Sequence, residues 1–121
     1  MTSEEKKAFF LLKSVIFHYH GLDEDEQQIL DETAEEYDAL DELDWAYDFI
    51  EEDYYTAFDR AREYLTKVMM TYSEEKRLES LSSVWNANMK KGYISEMEAM
   101  AILKLAKDWE VEAGLMSMVR T

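Results

Sequence analysis

The sequence has no cysteine, no proline and only three glycines among its 121 residues. Without cysteine, neither a disulfide framework nor a thiolate metal site can form. Without proline, few positions interrupt a helix, and helix-favouring Leu, Ala, Glu, Lys and Met are abundant. The composition therefore predicts an all-α protein, and the chain length predicts one domain, residues 1–121, with one core.

Long hydrophobic runs are also missing. A membrane-spanning helix needs about 18 or more consecutive apolar residues, and no run in this chain approaches that length. Residues 1–12 lack the pattern of a signal peptide. We therefore expect a cytoplasmic protein without a membrane partner.

Lysine and arginine are absent from residues 14–59, which we call the acidic segment. It holds 17 aspartates and glutamates, whereas the rest of the chain has 11 acids against 13 bases. The net charge of −15 therefore arises in this segment. A surface of this sign repels nucleic acid and anionic lipid, so we expect no direct nucleic-acid binding and a protein partner with a basic surface, or cations.

Apolar residues recur at helical spacing along the whole chain and predict six to seven helices. The most regular pattern begins at Tyr54 and continues to Tyr72. Before it, helices are expected over about residues 4–19 and 24–38, and a third is expected to begin with Asp41 as its N-cap. After it, one helix is expected to begin with Ser73 as its N-cap, another to cover about 96–109, and a short one to lie at the C-terminal end.

Two turns share one pattern, in which a glycine that ends a helix is followed by an N-cap residue and, three residues later, by glutamate. This is the signature of a capping box. Each turn joins an apolar helix to an amphipathic one, so the pattern predicts a compact single-domain bundle of about six to seven helices with a duplicated helical hairpin. The turn residues are Gly21, Asp23 and Glu26, and Gly92, Ser95 and Glu98.

These turns resemble the tellurite-resistance TerB-like family, whose members are acidic, all-helical, two-repeat domains. From its glycine onward the second turn matches the family pattern position for position, the first matches with one residue fewer after glycine, and the resemblance covers about 8–40 and 80–119. It implies a TerB-like helical domain that acts in a stress response by binding other components and without catalysis. The matching residues of the second turn are Gly92, Ile94, Ser95 and Glu98.

The chain departs from the family at the residue before each glycine. The family has aspartates there that are implicated in divalent-cation binding, and this chain has His20 and Lys91. The resemblance therefore extends to the fold, and these two positions do not carry the family's cation ligands.

A weak divalent-cation site is one interpretation of Asp31, Glu35 and Asp38. On a continuous helix, positions i, i+4 and i+7 lie along one face and could hold a cation together. The alternative is a solvated acidic face. No other cofactor is indicated, because the sequence has no zinc motif, di-iron motif, phosphate loop or nucleophile elbow.

Aromatic residues interleaved with acids suggest a partner-binding surface. Trp45, Phe49 and Tyr54 fit the apolar stripes and are expected in the core. Tyr47 and Tyr55 lie off the stripes, and with Glu51 and Glu52 they are the predicted contacts to a partner. Homo-oligomerisation stays open.

Three functions are compared from the sequence, and the third, an enzyme, would need a concave pocket with converging, pKa-shifted groups. The first is a non-enzymatic acidic helical binding domain that engages a protein partner or divalent cations. The alternative is an acidic decoy that occupies a basic, nucleic-acid-binding partner by imitating phosphate charge. An enzyme is not expected.

Overall fold

A computed structural model of the protein describes residues 1–18, 22–89 and 92–119. Within these ranges the chain forms seven α-helices and no strand, which confirms the predicted all-α fold. None of these helices combines the length and the apolar content needed to cross a membrane. In chain order they are α1 (Ser3–His18), α2 (Glu24–Glu36), α3 (Leu40–Glu51), α4 (Ala57–Met69), α5 (Glu74–Met89), α6 (Glu96–Asp108) and α7 (Glu112–Val119).

The chain divides into two compact units, Met1–Ala61 and Arg62–Thr121, and the boundary falls within α4. The helical content of the predicted bundle is confirmed. That residues 1–121 act as one TerB-like domain stays a prediction.

In the first unit, α1 packs against α2 and α3, and α2 also packs against α3. Every residue of α1 from Phe10 to Phe17 is buried, so this helix is the centre of the unit. The buried stripes of α2 and α3 are narrower, and their remaining faces are exposed to solvent. Their buried apolar side chains are Leu30 and Ala34 in α2, and Leu43, Ala46 and Ile50 in α3.

In the second unit, α5 packs against α6 and α7, and α6 also packs against α7. Trp109, just after α6, is fully buried, and burial of a large apolar side chain is worth about 1.5–3 kcal/mol. Arg62 of α4 donates two hydrogen bonds to the Asp108 carboxylate at the end of α6, at 2.8 and 3.0 Å. This two-point pairing fixes the orientation of both side chains.

The two units repeat the same pair of helices. The first helices, α1 and α5, are both 16 residues long. The second helices, α2 and α6, are both 13 residues long. Each pair packs together within its own unit, as expected for a duplicated helical hairpin.

Both predicted capping boxes are present. Glu26 N–H donates to the Asp23 carboxylate at 2.8 Å, and Asp23 N–H donates back to Glu26 at 3.2 Å. Ser95 and Glu98 exchange the same two bonds, both at 3.1 Å. Glu26 and Glu98 are fully buried, so their carboxylates need these hydrogen bonds to offset the loss of water. Gly92, with φ of 95°, has the left-handed backbone expected of a glycine after a helix.

The second helix of each copy also ends in the same way. Asp38 and Glu110 adopt left-handed backbones, with φ of 53° and 59°. Ala39 N–H donates to Ala34 O at 2.8 Å, and the equivalent bond after α6 is 2.9 Å long. This is a Schellman motif, here with aspartate and glutamate at the position that glycine usually occupies.

Three predicted boundaries are corrected. α2 ends at Glu36, because the left-handed backbone of Asp38 cannot continue the helix. α3 begins at Leu40 without a side-chain cap, so Asp41 is not its N-cap. α4 begins at Ala57, because the residues before it form a turn, and Tyr54 is 61% exposed rather than part of the core.

The exposed faces of the copies differ although their helix lengths and the ends of their second helices correspond. The second and fifth residues of α2 are Asp25 and Gln28, and those of α6 are Met97 and Met100. All four are exposed. The first copy thus presents a polar, acidic face, and the second presents thioethers.

Candidate functional site

The turn between α3 and α4, residues 52–56, is fixed by short-range hydrogen bonds. The Asp53 carboxylate accepts from Tyr55 N–H at 3.0 Å, and Thr56 N–H donates to Asp53 O at 3.3 Å. An aspartate that bonds the backbone two residues later forms an Asx turn. Tyr54 and Tyr55 are 61% and 100% exposed, so the turn presents two aromatic rings at the surface.

Arg60 of α4 ties this turn to the end of α3. Its guanidinium donates to Phe49 O and to Asp53 O, each at 2.8 Å, and its Nε donates to the Thr56 hydroxyl at 2.8 Å. It also lies 3.7 Å from the Glu52 carboxylate. One side chain therefore satisfies a helix-end carbonyl and holds the turn that carries the tyrosines.

Beside this turn lies a pocket of about 280 Å³. It is at the small end of ligand pockets, which span roughly 300–1,000 Å³, so it suits a group of a few non-hydrogen atoms. Its walls come from the end of α1, the end of α3, the turn and the start of α4. The lining residues are Val15, His18, Ile50, Tyr54, Tyr55, Ala57 and Phe58.

His18, the last residue of α1, lines the pocket and also contacts Tyr47 of α3. Its ring stacks with Tyr54 at a centroid distance of 6.3 Å and meets Tyr47 edge-on at 6.0 Å. Burial lowers the pKa of His18 below its usual 6.5, while the nearby Glu51 carboxylate acts in the opposite direction. The imidazole is therefore neutral at pH 7, and its Nε2 has no hydrogen-bond partner within the described ranges.

Tyr47 is held from the opposite side by α2. Its hydroxyl accepts a hydrogen bond from Gln27 Nε2 at 2.6 Å, and the same amide donates to Asp31 at 3.0 Å. Burial raises the pKa of Tyr47 to about 12, with Asp31 and Asp44 adding to the effect and the Gln27 bond opposing it. The phenol therefore stays protonated throughout the physiological range.

Most acids of the acidic segment lie at the surface of the first unit. Fifteen of its seventeen acids are exposed, the exceptions being buried Glu26 and half-buried Glu42. The unit as a whole contains nineteen acids and four bases, whereas the second unit contains nine of each. The net negative charge of the protein thus arises in the first unit.

The predicted cation ligands do not come together. Asp31 accepts a hydrogen bond from Gln27. Asp38 lies beyond the end of α2 with a left-handed backbone, and its carbonyl accepts from Lys6 Nζ at 3.0 Å, so its predicted place on the face with Glu35 is wrong. Within the described ranges no group of three or more His, Asp or Glu side chains is placed to hold a metal ion.

Of the predicted partner contacts, Glu51, Glu52 and Tyr55 are exposed at or beside the pocket. Tyr47 is half-buried, with its hydroxyl engaged by Gln27. His18 and the pocket itself were not predicted, because the pocket is assembled from segments distant in sequence and no local motif marks it.

No protein-family model, curated protein or solved structure matches this chain. Three of the residues that bear on the TerB-like resemblance, Gly21, His20 and Lys91, lie outside the described residues. The assignment to that family therefore stays a prediction.

Proposed function

We propose that this protein is a non-enzymatic acidic binding domain whose first unit engages a protein partner with a basic surface. The observation that carries the proposal is the display of fifteen exposed acids by a segment that contains no lysine or arginine. Such a one-sign surface steers oppositely charged partners into encounter and disfavours acidic ones.

Exposed apolar side chains within the same unit offer anchors for that partner. Tyr54 and Tyr55 lie at the α3–α4 turn, and Tyr37 and Leu40 are 43% and 53% exposed around the start of α3. Tyrosine is one of the residues enriched among the hot spots of protein interfaces. In this proposal the acids orient the partner and raise the rate of association, and the aromatic residues provide most of the affinity.

The resemblance of the capped turns to the TerB-like family supports a cytoplasmic, stress-associated role for this binding. In the cation version of the proposal, the exposed carboxylates of α2 bind a divalent ion weakly. A calorimetric titration with calcium and manganese tests that version, and the absence of both heat and thermal shift would remove it.

The second candidate is an acidic decoy that occupies a nucleic-acid-binding protein. It is favoured by exposed carboxylates in the first turn and in the second half of α2, a helix that contains no lysine or arginine. Rows of carboxylates can take the place of a phosphate backbone in a basic groove, and such binding weakens steeply as salt is added.

Affinity capture from the native cell lysate at low and high salt tests the proposal with two charge-matched variants. We expect the α3 variant to lose salt-sensitive basic partners and the second-unit variant to retain them. Equal loss from both variants, or partners without basic surfaces, would contradict the proposal, and partners that release nucleic acid on binding would favour the decoy. The variants are D41N/D44N/D48N on α3 and E75Q/E79Q/E112Q in the second unit.

A further inference from the structure

We propose that the pocket at the α3–α4 turn binds a small alkylammonium group. The pocket is lined by the rings of Tyr54, Tyr55 and Phe58 and by the imidazole of His18. Aromatic rings attract an organic cation through the negative charge of their faces, and several rings around one site give an ammonium group contacts from more than one side.

The electrostatic surroundings also favour a cation over an anion. His18 is the last residue of α1, so the partly negative carbonyl end of that helix lies at the pocket wall. The Glu51 carboxylate is close enough to His18 to interact with it electrostatically, and Glu52 and Asp53 follow directly in the chain. All of these groups lower the potential that a ligand would meet.

The positive charge of Arg60 is offset by the Glu52 carboxylate, which lies 3.7 Å away. The Arg60 side chain donates its hydrogen bonds to Phe49 O, Asp53 O and the Thr56 hydroxyl and does not line the pocket. The carboxylates of Glu51 and Asp53 therefore remain to favour a cation. The neutral imidazole of His18 adds no positive charge either. An anionic ligand would therefore meet carboxylates, with no lysine or arginine among the residues that line the pocket.

The size of the pocket limits the ligand to a head group. A volume of about 280 Å³ accommodates a methylated ammonium or the end of a lysine side chain, and it is too small for a nucleotide or a folded peptide. The cation could belong to a free amine or to a lysine of a protein. The inference goes beyond the proposed function, because a free amine satisfies it without any protein partner.

The test uses the full chain and compares choline with its neutral isostere, 3,3-dimethylbutan-1-ol, at an ionic strength held constant with sodium chloride. Binding is followed by NMR shifts of the aromatic ring protons. We expect a saturable shift with choline, a much weaker one with the alcohol, and about tenfold weaker choline binding in the Y54L/Y55L variant. Both tyrosines are largely exposed, so this variant should fold normally, which a thermal melt checks.

The Y93L variant is the matched control, because Tyr93 is 58% exposed and belongs to the second unit. It should bind choline as the unmodified protein does. Equal affinity for the alcohol, equal weakening by Y93L, or no saturable shift would each overturn the proposal. Nα-acetyl-lysine amide distinguishes the sources: if it binds and its Nε-acetylated form does not, a lysine side chain can occupy the site, whereas binding of choline alone assigns the site to a free ligand.

Discussion

The guanidinium of Arg60 lies over the ring of Phe49, 4.9 Å from its centroid, and donates a hydrogen bond to the backbone carbonyl of the same residue. Phe49 is in the last turn of α3, where carbonyls lack partners within the helix. One arginine thus replaces a missing backbone donor and covers the adjacent ring.

Replacing Arg60 with leucine should lower the free energy of unfolding by about 1.5–3 kcal/mol, because hydrogen bonds from a charged donor are lost at Phe49, Asp53 and Thr56. Arg60→Lys should recover only part of this, since an ammonium cannot make three fixed bonds in a plane. Urea unfolding measures both. Lys67→Ala is the control, because Lys67 and its partner Glu63 are 77% and 73% exposed and should contribute little. A loss no larger than that of the control would show that the turn holds without Arg60.

Glycine at the left-handed helix ends should stabilise the protein, and more at one copy than at the other. Glu110→Gly removes the Cβ strain of a φ of 59° and should raise stability by up to about 1 kcal/mol. Asp38→Gly should gain less, because aspartate tolerates this backbone better than glutamate. Thermal melts of both variants test the order. A larger gain at Asp38 would mean that local hydrogen bonding, and not Cβ strain, decides the energy.

Gly114→Ala should be close to neutral alone and stabilising when Leu78 is shortened. Alanine favours a helix over glycine by about 1 kcal/mol, but a Cβ at Gly114 would lie 2.9 Å from Leu78 Cδ2. In the Leu78→Ala background the contact disappears and the full gain should be recovered. A double-mutant cycle by chemical denaturation measures the coupling. Ala113→Gly, at the exposed neighbouring position of α7, should lower the free energy of unfolding by about 1 kcal/mol. It measures how much alanine and glycine differ in helix stability at this end of α7.

His18 should make the protein less stable as the pH falls below about 6.5. Its pKa is lowered by burial in the folded state, so between the unfolded and folded pKa values the unfolded chain binds more protons and the free energy of unfolding decreases. Above about pH 6.5 the imidazole is neutral in both states and the effect is absent.

The His18→Gln variant isolates this contribution. Neutralising the crowded carboxylates works in the opposite direction by relieving repulsion, and it does so equally in both proteins. Urea unfolding at about pH 7.5 and about pH 5.5 measures the free energy of unfolding of both proteins. On going to the lower pH, this free energy should fall less, or rise more, in the variant than in the unmodified protein. A difference between the two proteins that does not change with pH would exclude this role. Glu51, Tyr47 and Tyr54 face the ring and remain unchanged in the variant.

Local signals explain why parts of the fold could be predicted from sequence. The Ser95–Glu98 box lies within four consecutive residues, so its side-chain pattern is visible without knowledge of tertiary contacts. The ends of α2 and α6 could not be placed in the same way, because Asp38 and Glu110 stand where glycine is the usual signal. Tyr54 fits the apolar spacing of α4 in the sequence but lies before the helix begins. Its position is set by the turn that Arg60 holds, a contact that the spacing does not reveal.

The candidate site was predictable only in its exposed part. Glu51, Glu52 and Tyr55 were identified because charge and aromatic content can be read along the chain. His18 joins them through tertiary packing, when the end of α1 meets the α3–α4 turn. A histidine near a helix end gives no sign of which distant segment will cover it.

The contrast between the exposed faces of α2 and α6 has a chemical consequence. Met97 and Met100 are 48% and 51% exposed, so oxidants can reach their sulfur atoms. Oxidation to the sulfoxide would add a polar oxygen to each of these side chains of α6, at the positions that correspond to Asp25 and Gln28 of α2. Methionine sulfoxide reductases remove such oxygens again. The polarity of the second copy is therefore reversible by redox chemistry, whereas that of the first is set by its carboxylates and amides.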